Sequence, residues 1–314
     1  LMFMSEVSEN NLMGTGNRLS LSADISGKAT HYNLAFKNPR ILDSNLNGGV
    51  DLFKSRRDYD DYTKDSTGGA LGFGHPLAEE FWRIYYKYSY TDTTLSDLSK
   101  NASFYIVQSQ NVQTASAFST SVVRDSLNRF YSPSDGSLNN LTVKYAGGPF
   151  GGEAAFTKID ASSSWYYGLP LSCVFHLNGS IGRAYENEEG MLPVYEKFYL
   201  GGLNSIRGFK SSRVSPRDPL TNERIGGDKM WYVNFEFIFP LLTDAGLQGV
   251  VFTDIGNVYA TNDEWDFGDY KKAAGLGVRW FSPLGPLRLE LGYNLDPAKG
   301  ESDSVWDFSI GGQF

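Results

Sequence analysis

The segment Leu287-Arg288-Leu289-Glu290-Leu291-Gly292-Tyr293-Asn294-Leu295 alternates between apolar residues and polar or small ones. A period of two places the apolar side chains on one face of a β-strand and the charges on the other. The segment 231–239 repeats the pattern, with Trp, Val and Phe on one face and Glu236 opposite them. A helical period fits neither segment. The alternation therefore predicts long strands with one apolar and one polar face.

Similar segments recur along the whole chain, and the last one ends on an aromatic residue of its apolar face. The pattern gives about fifteen candidate strands. They are predicted at 1–10, 17–26, 29–37, 46–56, 66–74, 81–91, 114–125, 138–146, 153–167, 170–184, 229–239, 247–257, 270–281, 286–295 and 303–314.

The composition excludes several classes of protein. The chain carries 28 basic and 36 acidic residues, a net charge of −8, which disfavours a nucleic-acid binder. A single cysteine excludes an intrachain disulfide framework and a CxxC-type zinc site. No apolar run reaches the roughly 18 residues of a transmembrane helix. A membrane β-barrel stays compatible, because its strands alternate and keep the mean hydropathy low.

The connections between candidate strands are of two kinds. Tight turns with strong breakers are predicted at Gly27-Lys28, His75-Pro76, 168–170 and 282–286. Long loops are predicted at 92–113 and 185–228, and the stretch 97–109 can form a short helix within its loop. Tight turns at one end and long loops at the other are typical of outer-membrane barrels.

A soluble β-sandwich is the alternative to a barrel. So many strands would need two stacked domains, and no polar, Pro/Ser-rich linker divides the chain. The polar faces also carry charges of both signs in mid-strand, among them Arg288, Glu290, Glu236 and Asp254. Such charges suit the polar interior of a barrel. The sequence predicts an all-β fold, a transmembrane antiparallel β-barrel.

The stretch Tyr195-Glu196-Lys197-Phe198-Tyr199-Leu200-Gly201-Gly202-Leu203-Asn204-Ser205-Ile206-Arg207-Gly208-Phe209 resembles the signature of the Omp85 superfamily of outer-membrane proteins. Members carry a [V/I]-R-G-[F/Y] motif at the tip of a long loop that folds back into the barrel; here it is Ile206, Arg207, Gly208 and Phe209. Further matches lie at 12–16, 130–136, 252–259 and 311–314. The likeness is greatest to the branch that assembles outer-membrane proteins.

The resemblance implies the role of the loop motif. In the family the arginine contacts acids at the positions that Glu236 and Asp254 match, so we expect Arg207 to bridge these two. An arginine in a partly desolvated lumen persists only when it is paired, preferably through bidentate bonds. Gly208 is expected to allow a tight turn, and Phe209 to pack against the inner wall. Without the resemblance, a solvated loop-tip charge would be the default interpretation of Arg207.

The resemblance also implies a 16-stranded barrel of which residues 1–314 supply about fifteen strands, beginning at the second. The first strand and the periplasmic POTRA repeats are expected outside this chain. The barrel of the family closes between its first and last strands, a weak seam that serves as a lateral gate. The gate residues expected on the last strand are Phe308, Ile310, Gly311, Gly312 and Phe314. The glycines either weaken the seam or are ordinary small residues under a packed loop.

These features imply an outer-membrane insertase core that folds and inserts nascent β-barrel proteins in the bacterial outer membrane. Its expected partners are those nascent barrels, accessory assembly lipoproteins and the lipid bilayer, with no nucleic acid, cofactor or metal. The alternative is an Omp85-type polypeptide secretion transporter. An enzyme is disfavoured, because His31, His75 and His176 have no GxSxG motif or metal-spaced partner.

Overall fold

The computed structural model describes residues 2–77, 80–282, 285–298 and 300–310. Fifteen strands formed by these residues make up one sheet. They are β1 (Met2–Glu9), β2 (Arg18–Ser26), β3 (Ala29–Asn38), β4 (Asn47–Asp58), β5 (Thr63–Pro76), β6 (Trp82–Ser96), β7 (Thr114–Asp125), β8 (Gly136–Ala146), β9 (Phe156–Gly168), β10 (Val174–Glu186), β11 (Lys229–Leu242), β12 (Leu247–Tyr259), β13 (Lys271–Ser282), β14 (Gly285–Asn294) and β15 (Ser304–Ile310).

Each strand pairs antiparallel with the next one in sequence. The predicted all-β fold is confirmed, and every predicted strand is present. The largest differences lie at strand ends: β6 continues to Ser96, and β10 begins only at Val174. Residues Pro170–Ser172 form a 3-10 turn, with Leu171 at φ 61°, that reverses the chain between β9 and β10, so β10 begins only after this turn. Proline and a left-handed residue both interrupt a ladder, which explains the later start.

In β11 to β14 the mid-strand charges are buried and many of the apolar side chains between them are exposed. Along β14, Leu289 and Tyr293 are 44% and 46% exposed, whereas Arg288 and Glu290 are buried. Trp165 on β9 and Phe237 on β11 also face outward. This distribution is the inverse of that in a water-soluble protein and is expected of a barrel in lipid.

The sheet curls around the long loop between β10 and β11, residues 187–228. At one side, Arg213 of this loop pairs with Asp60 beside β4, and Arg57 of β4 bonds Ser211. At the other side the loop contacts β12 and β14 through Arg207. Because strands far apart in the sheet surround one loop, the sheet is a barrel with the loop in its lumen.

The two ends of the barrel differ in their connections. One end carries 27–28, 59–62, 97–113, 147–155, 187–228, 260–270 and 295–303; the other carries 10–17, 39–46, 77–81, 126–135, 169–173, 243–246 and 283–284. We call them the loop end and the turn end. The predicted turn 168–170 lies at the turn end and His75-Pro76 closes β5 there, whereas Gly27-Lys28 lies at the loop end. Of the turn predicted at 282–286, residues 283 and 284 lie outside the described residues. The prediction that the tight turns share one end is therefore wrong for Gly27-Lys28, a two-residue turn that joins β2 and β3 at the loop end.

The remaining elements are short. The expected helix in the loop after β6 is α1 (Phe104–Ser109). Single 3-10 turns lie at Leu12–Gly14, Ile41–Asp43, Gly148–Phe150, Pro170–Ser172, Val194–Glu196 and Thr243–Ala245. Among the helices of the described residues, none has the length and apolar character that crossing a membrane requires.

The expected gate strand is only partly described. Phe308 and Ile310 of β15 point outward and are 62% and 46% exposed. Gly311, Gly312 and Phe314 lie outside the described residues. Within the described part of the chain, no hydrogen-bonded ladder joins β15 to β1.

Candidate functional site

The inward loop carries its own apolar core into the lumen. Ile206 and Phe209, on either side of Arg207 and Gly208, are fully buried together with Phe198, Leu200 and Val214 of the same loop. Small side chains of the barrel wall receive them, namely Ala117, Ala146, Ala184 and Ala273. Apolar contacts and small wall residues thus allow a loop to fill an interior that is otherwise polar.

Gly208 brings the loop tip into contact with the backbone of β14. It has φ 84°, and a Cβ there would lie 3.0–3.1 Å from backbone atoms of Tyr293, Asn294 and Gly292. At Gly292 a Cβ would lie 2.3 Å from the Gly208 nitrogen. Two glycines facing each other therefore set the depth of the loop tip, because any side chain at either position separates the two backbones.

Arg207 lies at the bottom of this contact and forms a fork with Asp254 of β12. Its Nε donates to Asp254 Oδ2 at 2.8 Å and its Nη2 donates to Oδ1 at 2.6 Å. The Arg207 backbone nitrogen also donates to Oδ2, at 2.9 Å. The guanidinium carbon lies 3.5 Å from the ring centre of Phe252. Fork geometry of this kind is available to arginine and not to lysine.

The remaining donor of Arg207 connects two further acids. Nη1 donates to Glu236 Oε1 of β11 at 2.5 Å and to Glu290 Oε2 of β14 at 2.9 Å. Arg279 of β13 joins the same two acids, at 2.8 Å to Glu236 and 2.9 Å to Glu290. Arg288 donates to Glu290 through Nε at 2.7 Å and Nη2 at 2.9 Å. Three arginines and three carboxylates form one network, here called the arginine cluster.

Histidine and asparagine side chains contact the acids at the edge of the arginine cluster. His176 Nδ1 lies 2.8 Å from Glu236 Oε2, and its ring stacks on Tyr166 with centres 4.1 Å apart. Asn234 donates to Asp254 Oδ1 at 2.8 Å and to the Ser205 carbonyl at 2.5 Å. These contacts tie strands β9 to β12 and the loop to the same set of acids.

The arginine cluster is buried and balanced in charge. Arg207 and Arg279 are each 2% exposed, and Asp254 and Glu290 are fully buried. Charges removed from water are costly unless each has close, well-aligned partners. Three positive and three negative groups in bidentate contact meet this requirement, so loss of any one member leaves a buried charge without its counterpart.

Both acids expected next to Arg207, Glu236 and Asp254, contact it in the structure. Sequence reasoning placed Glu290 and Arg288 on a polar face but did not connect them to Arg207, and it left Arg279 and His176 outside the site. Their mid-strand position on polar faces was the available signal. What was lacking is the pairing of β11, β12, β13 and β14, which brings these side chains together around the loop tip.

A second contact set holds the stem of the loop. Lys144 of β8 donates to both carboxylate oxygens of Glu196, at 2.9 and 3.0 Å, and Lys158 of β9 donates to the Glu196 carbonyl at 2.8 Å. Lys64 of β5 lies 4.7 Å from the ring centre of Tyr195. We call Glu196 with Lys64, Lys144 and Lys158 the lysine anchor. The loop is thus held at its stem and at its tip by separate strands.

A polar cavity of about 630 Å³ lies in the lumen on the turn side of the arginine cluster. Serine and asparagine side chains contribute to its lining, among them Ser121, Asn140, Ser162, Ser164 and Asn178, and so do His176 and Arg288. No group of three or more His, Cys, Asp or Glu suited to a metal ion occurs in the described part of the chain. The arrangement is suited to holding a loop and water in a channel.

A family model for the Omp85 superfamily domain matches residues 11–314. The chain belongs to the Omp85 superfamily. This Omp85 barrel is 36% identical over 97% of its length to the outer membrane protein assembly factor BamA of Nitratidesulfovibrio vulgaris, of which it covers 39%. The chain thus spans about two fifths of the length of such curated relatives.

Two solved structures share the Omp85 barrel fold. BamA from Haemophilus ducreyi lacking POTRA domains 1–3 matches 98% of this chain and 67% of its own, with a TM-score of 0.82 at 20% identity. CdiB from Escherichia coli matches 98% of this chain and 59% of its own, with a TM-score of 0.71 at 16% identity. As an Omp85 barrel, the protein is a component of the bacterial outer membrane rather than an enzyme.

Proposed function

We propose that this chain is the membrane barrel of an outer-membrane protein assembly factor, which folds and inserts nascent β-barrel proteins. The observation that carries the proposal is the 36% identity, over nearly the whole chain, to a protein named as such a factor. The proposed partners are nascent outer-membrane barrels, accessory assembly lipoproteins and the lipid bilayer. Residues 1–314 act in this proposal as one barrel domain.

The arginine cluster supports a role for the inward loop in this activity. Arg207 joins the loop to β11, β12 and β14 at once, and Arg279 and Arg288 extend the joint over β13 and β14. In this proposal the loop motif holds strands β11 to β14 rigid; the motif consists of Ile206, Arg207, Gly208 and Phe209. The adjoining strand β15 is then free to separate from its neighbour across the seam without collapse of the barrel.

The proposed catalytic event is strand pairing at the free edge of β15. An unpaired strand edge presents backbone donors and acceptors that a second chain can join. Phe308, Ile310, Gly311, Gly312 and Phe314 are the proposed gate residues, and the two glycines reduce side-chain contacts at the seam. No nucleotide or other cofactor enters this mechanism.

Folding in vesicles tests the assembly activity. The full-length protein, reconstituted in phospholipid vesicles, should accelerate folding of a urea-unfolded outer-membrane barrel, read as a heat-modifiable gel band. Vesicles without protein are the baseline, and an Arg207→Ala variant should act more slowly. An unchanged folding rate with the wild-type protein would reject the assembly function, whereas a fully active Arg207→Ala variant would reject only the role of the motif.

Disulfide trapping tests the gate. In a Cys173→Ser background, a substrate with a single cysteine in its last strand should crosslink to Ile310→Cys on β15. Val143→Cys, which also points outward but lies in the middle of the sheet on β8, is the matched control. Equal crosslinking at both positions would contradict substrate pairing at the seam.

The second candidate is an Omp85-type polypeptide secretion transporter, favoured by the fold shared with CdiB. The same vesicles separate the two functions. A transporter passes an extended polypeptide into the vesicle interior, where an added external protease cannot reach it. An assembly factor leaves its substrate folded in the membrane, and this is the result we expect.

A further inference from the structure

The outer wall across β9, β10 and β11 contains a depression among large side chains. The cross-strand row Ser163, Gly179 and Val233 has small or short side chains. The row on the turn side contains Trp165, and the row on the loop side contains Ile181 and Trp231. A groove of about 450 Å³ results, bounded at the loop end by Phe267. Its lining is almost entirely apolar, and it opens directly onto the lipid-facing surface.

Arg183 lies next to this groove, on its loop-end side and on the same face of the sheet. It has no carboxylate partner among the described residues. Arg183 follows Gly179 and Ile181 on the outward face of β10, and its guanidinium carbon lies 4.4 Å from the Tyr185 ring centre. Its Nε is buried and has no hydrogen-bond partner among the described residues. Within that part of the chain, no carboxylate lies within 4.0 Å of its guanidinium group.

The neighbouring cation, Lys229, has the acceptor groups that Arg183 lacks. Lys229 is the cross-strand partner of Arg183 on β11. Its Nζ lies 2.9 Å from Asp228 Oδ1 and donates to the carbonyls of Ala260 and Thr261. A charged group on a membrane wall is costly unless it is paired, and unpaired ones mark binding sites. The terminal Nη1 and Nη2 of Arg183 are not among the buried atoms, so a phosphate can accept hydrogen bonds from this pair of donors.

Beyond Arg183 the wall becomes hydroxyl-rich. Tyr185 pairs with Thr157 of β9, whose hydroxyl donates to Asn187 Oδ1 at 3.0 Å in an exposed position. From the loop end inward, the face thus offers hydroxyl and amide groups, then a cation, then an apolar groove. This order matches a lipid with a sugar headgroup, a phosphate and acyl chains.

We propose that this face of β9–β11 binds a phosphorylated glycolipid of the membrane. Its phosphate accepts hydrogen bonds from Arg183, its sugar hydroxyls contact Thr157, Tyr185 and Asn187, and one acyl chain lies in the groove over Gly179. The site is on the outer wall, on the opposite side of the sheet from the arginine cluster in the lumen. It is separated from β15 by three strands of the sheet, β12, β13 and β14, so it does not depend on the assembly function.

Native mass spectrometry of the detergent-solubilised full-length protein, titrated with purified lipid A, tests the proposal. Arg183→Gln removes the phosphate contact, and Gly179→Leu fills the groove. A Cβ at Gly179 would lie 3.3 Å from the Tyr232 carbonyl and 3.6 Å from Val233 Cγ2, so the side chain can point outward. Each variant should bind lipid A on the order of tenfold more weakly than wild type.

Arg56→Gln is the matched control. Arg56 lies in β4 near the loop end and is exposed, but Asp58, Asp65 and Asp97 surround it at 3.6–3.8 Å. Its loss should leave lipid A binding unchanged. Heat-modifiable gel mobility verifies that each variant is folded.

Wild-type affinity in both Arg183→Gln and Gly179→Leu would overturn the site. Equal binding of phosphatidylglycerol and lipid A by the wild-type protein would overturn the glycolipid assignment, because the hydroxyl-rich rim would then contribute nothing. Preference of the wild-type protein for lipid A over phosphatidylglycerol, together with weaker lipid A binding in Arg183→Gln and Gly179→Leu, supports the proposal.

Discussion

The tip and the stem of the inward loop are both held by charges, but by different chemistry. At the tip, three arginines and three carboxylates are balanced and buried. At the stem, three lysines surround the single carboxylate of Glu196, and the Lys144–Glu196 pair keeps 26% and 20% side-chain exposure. Arginine forks fix distance and direction, whereas an ammonium group tolerates rotation. The tip is therefore a rigid joint and the stem an adaptable one.

The difference in chemistry affects how the tip and the stem of the loop detach from the barrel wall. A balanced buried network loses several contacts when one member leaves, so it opens as a unit. The lysine anchor can lose a contact and let water replace it, because it is partly exposed. We expect the stem to loosen gradually and the tip to release in one step.

Arg207→Ala should have the largest effect. Glu236, Asp254 and Glu290 would then face only Arg279 and Arg288, which leaves one buried negative charge without a partner. The expected cost is about 3–5 kcal/mol in the local opening free energy of the loop tip. Hydrogen exchange of the tip amides in the folded barrel measures it.

Arg217→Ala is the control for that measurement, because Arg217 is an exposed arginine of the same loop that donates to the Asn222 carbonyl. It should leave tip exchange unchanged. Equal exchange at the tip in Arg207→Ala and wild type would show that the apolar contacts of Ile206 and Phe209 suffice to dock the loop.

Gly208→Ala should have the next largest effect. The methyl group would combine a positive φ with a 3.0 Å approach to the β14 backbone, at a cost of about 1–3 kcal/mol in tip opening. Gly151→Ala is the matched control, since Gly151 has φ 74° but open space around it. If both variants lose equal stability by hydrogen exchange, backbone strain alone accounts for the effect and the contact with β14 contributes nothing.

The contrast between tip and stem also shows what sequence can predict. Strand alternation predicted the sheet, and the bounds that it predicted for β7, 114–125, are those of the structure. The bend at Leu171 was missed, since a left-handed non-glycine residue leaves no compositional signal.

Of the arginine cluster, the sequence predicted as contacts only those residues that the family pattern includes. The resemblance supplied Arg207, Glu236 and Asp254, three positions of one pattern. Arg279 and the lysine anchor needed the register of β8, β9 and β13 against the loop, and a one-residue slip would have turned each of these side chains to the lipid. Alternation names the face of a residue but not its height in the barrel.

Glu196→Gln should have a smaller effect than either tip variant. Lys144 would lose a partly exposed ionic partner but keep a carbonyl-type acceptor, so about 1 kcal/mol of stem opening free energy is expected. Exchange at the amides of Val194 and Lys197 reports on the stem, and tip exchange should stay unchanged. Glu188→Gln, an exposed acid of the same loop, is the control. Coupled loosening of tip and stem would contradict two independent anchors.

Acidification should have a smaller effect than any of these substitutions, and it should loosen the stem only at low pH. Burial raises the pKa of the Glu196 carboxyl, but Lys144 and Lys158 lower it more, so its pKa lies below the ordinary range of a glutamate. A group whose pKa is lower in the folded state stabilises fully above its unfolded pKa. That stabilisation is lost as the pH falls through the folded pKa.

Stem exchange, corrected for its intrinsic pH dependence, should therefore give a constant opening free energy from pH 5 to pH 8 and a decline only below about 4.3, the ordinary pKa of a glutamate in an unfolded chain. In Glu196→Gln the decline at the stem should be absent, and this separates Glu196 from the acids of the arginine cluster. A stem opening free energy that rises as the pH falls in the wild type would mean that burial outweighs the lysines, because a raised folded pKa favours the protonated carboxyl. The stem would then resemble an uncompensated acid rather than an anchor.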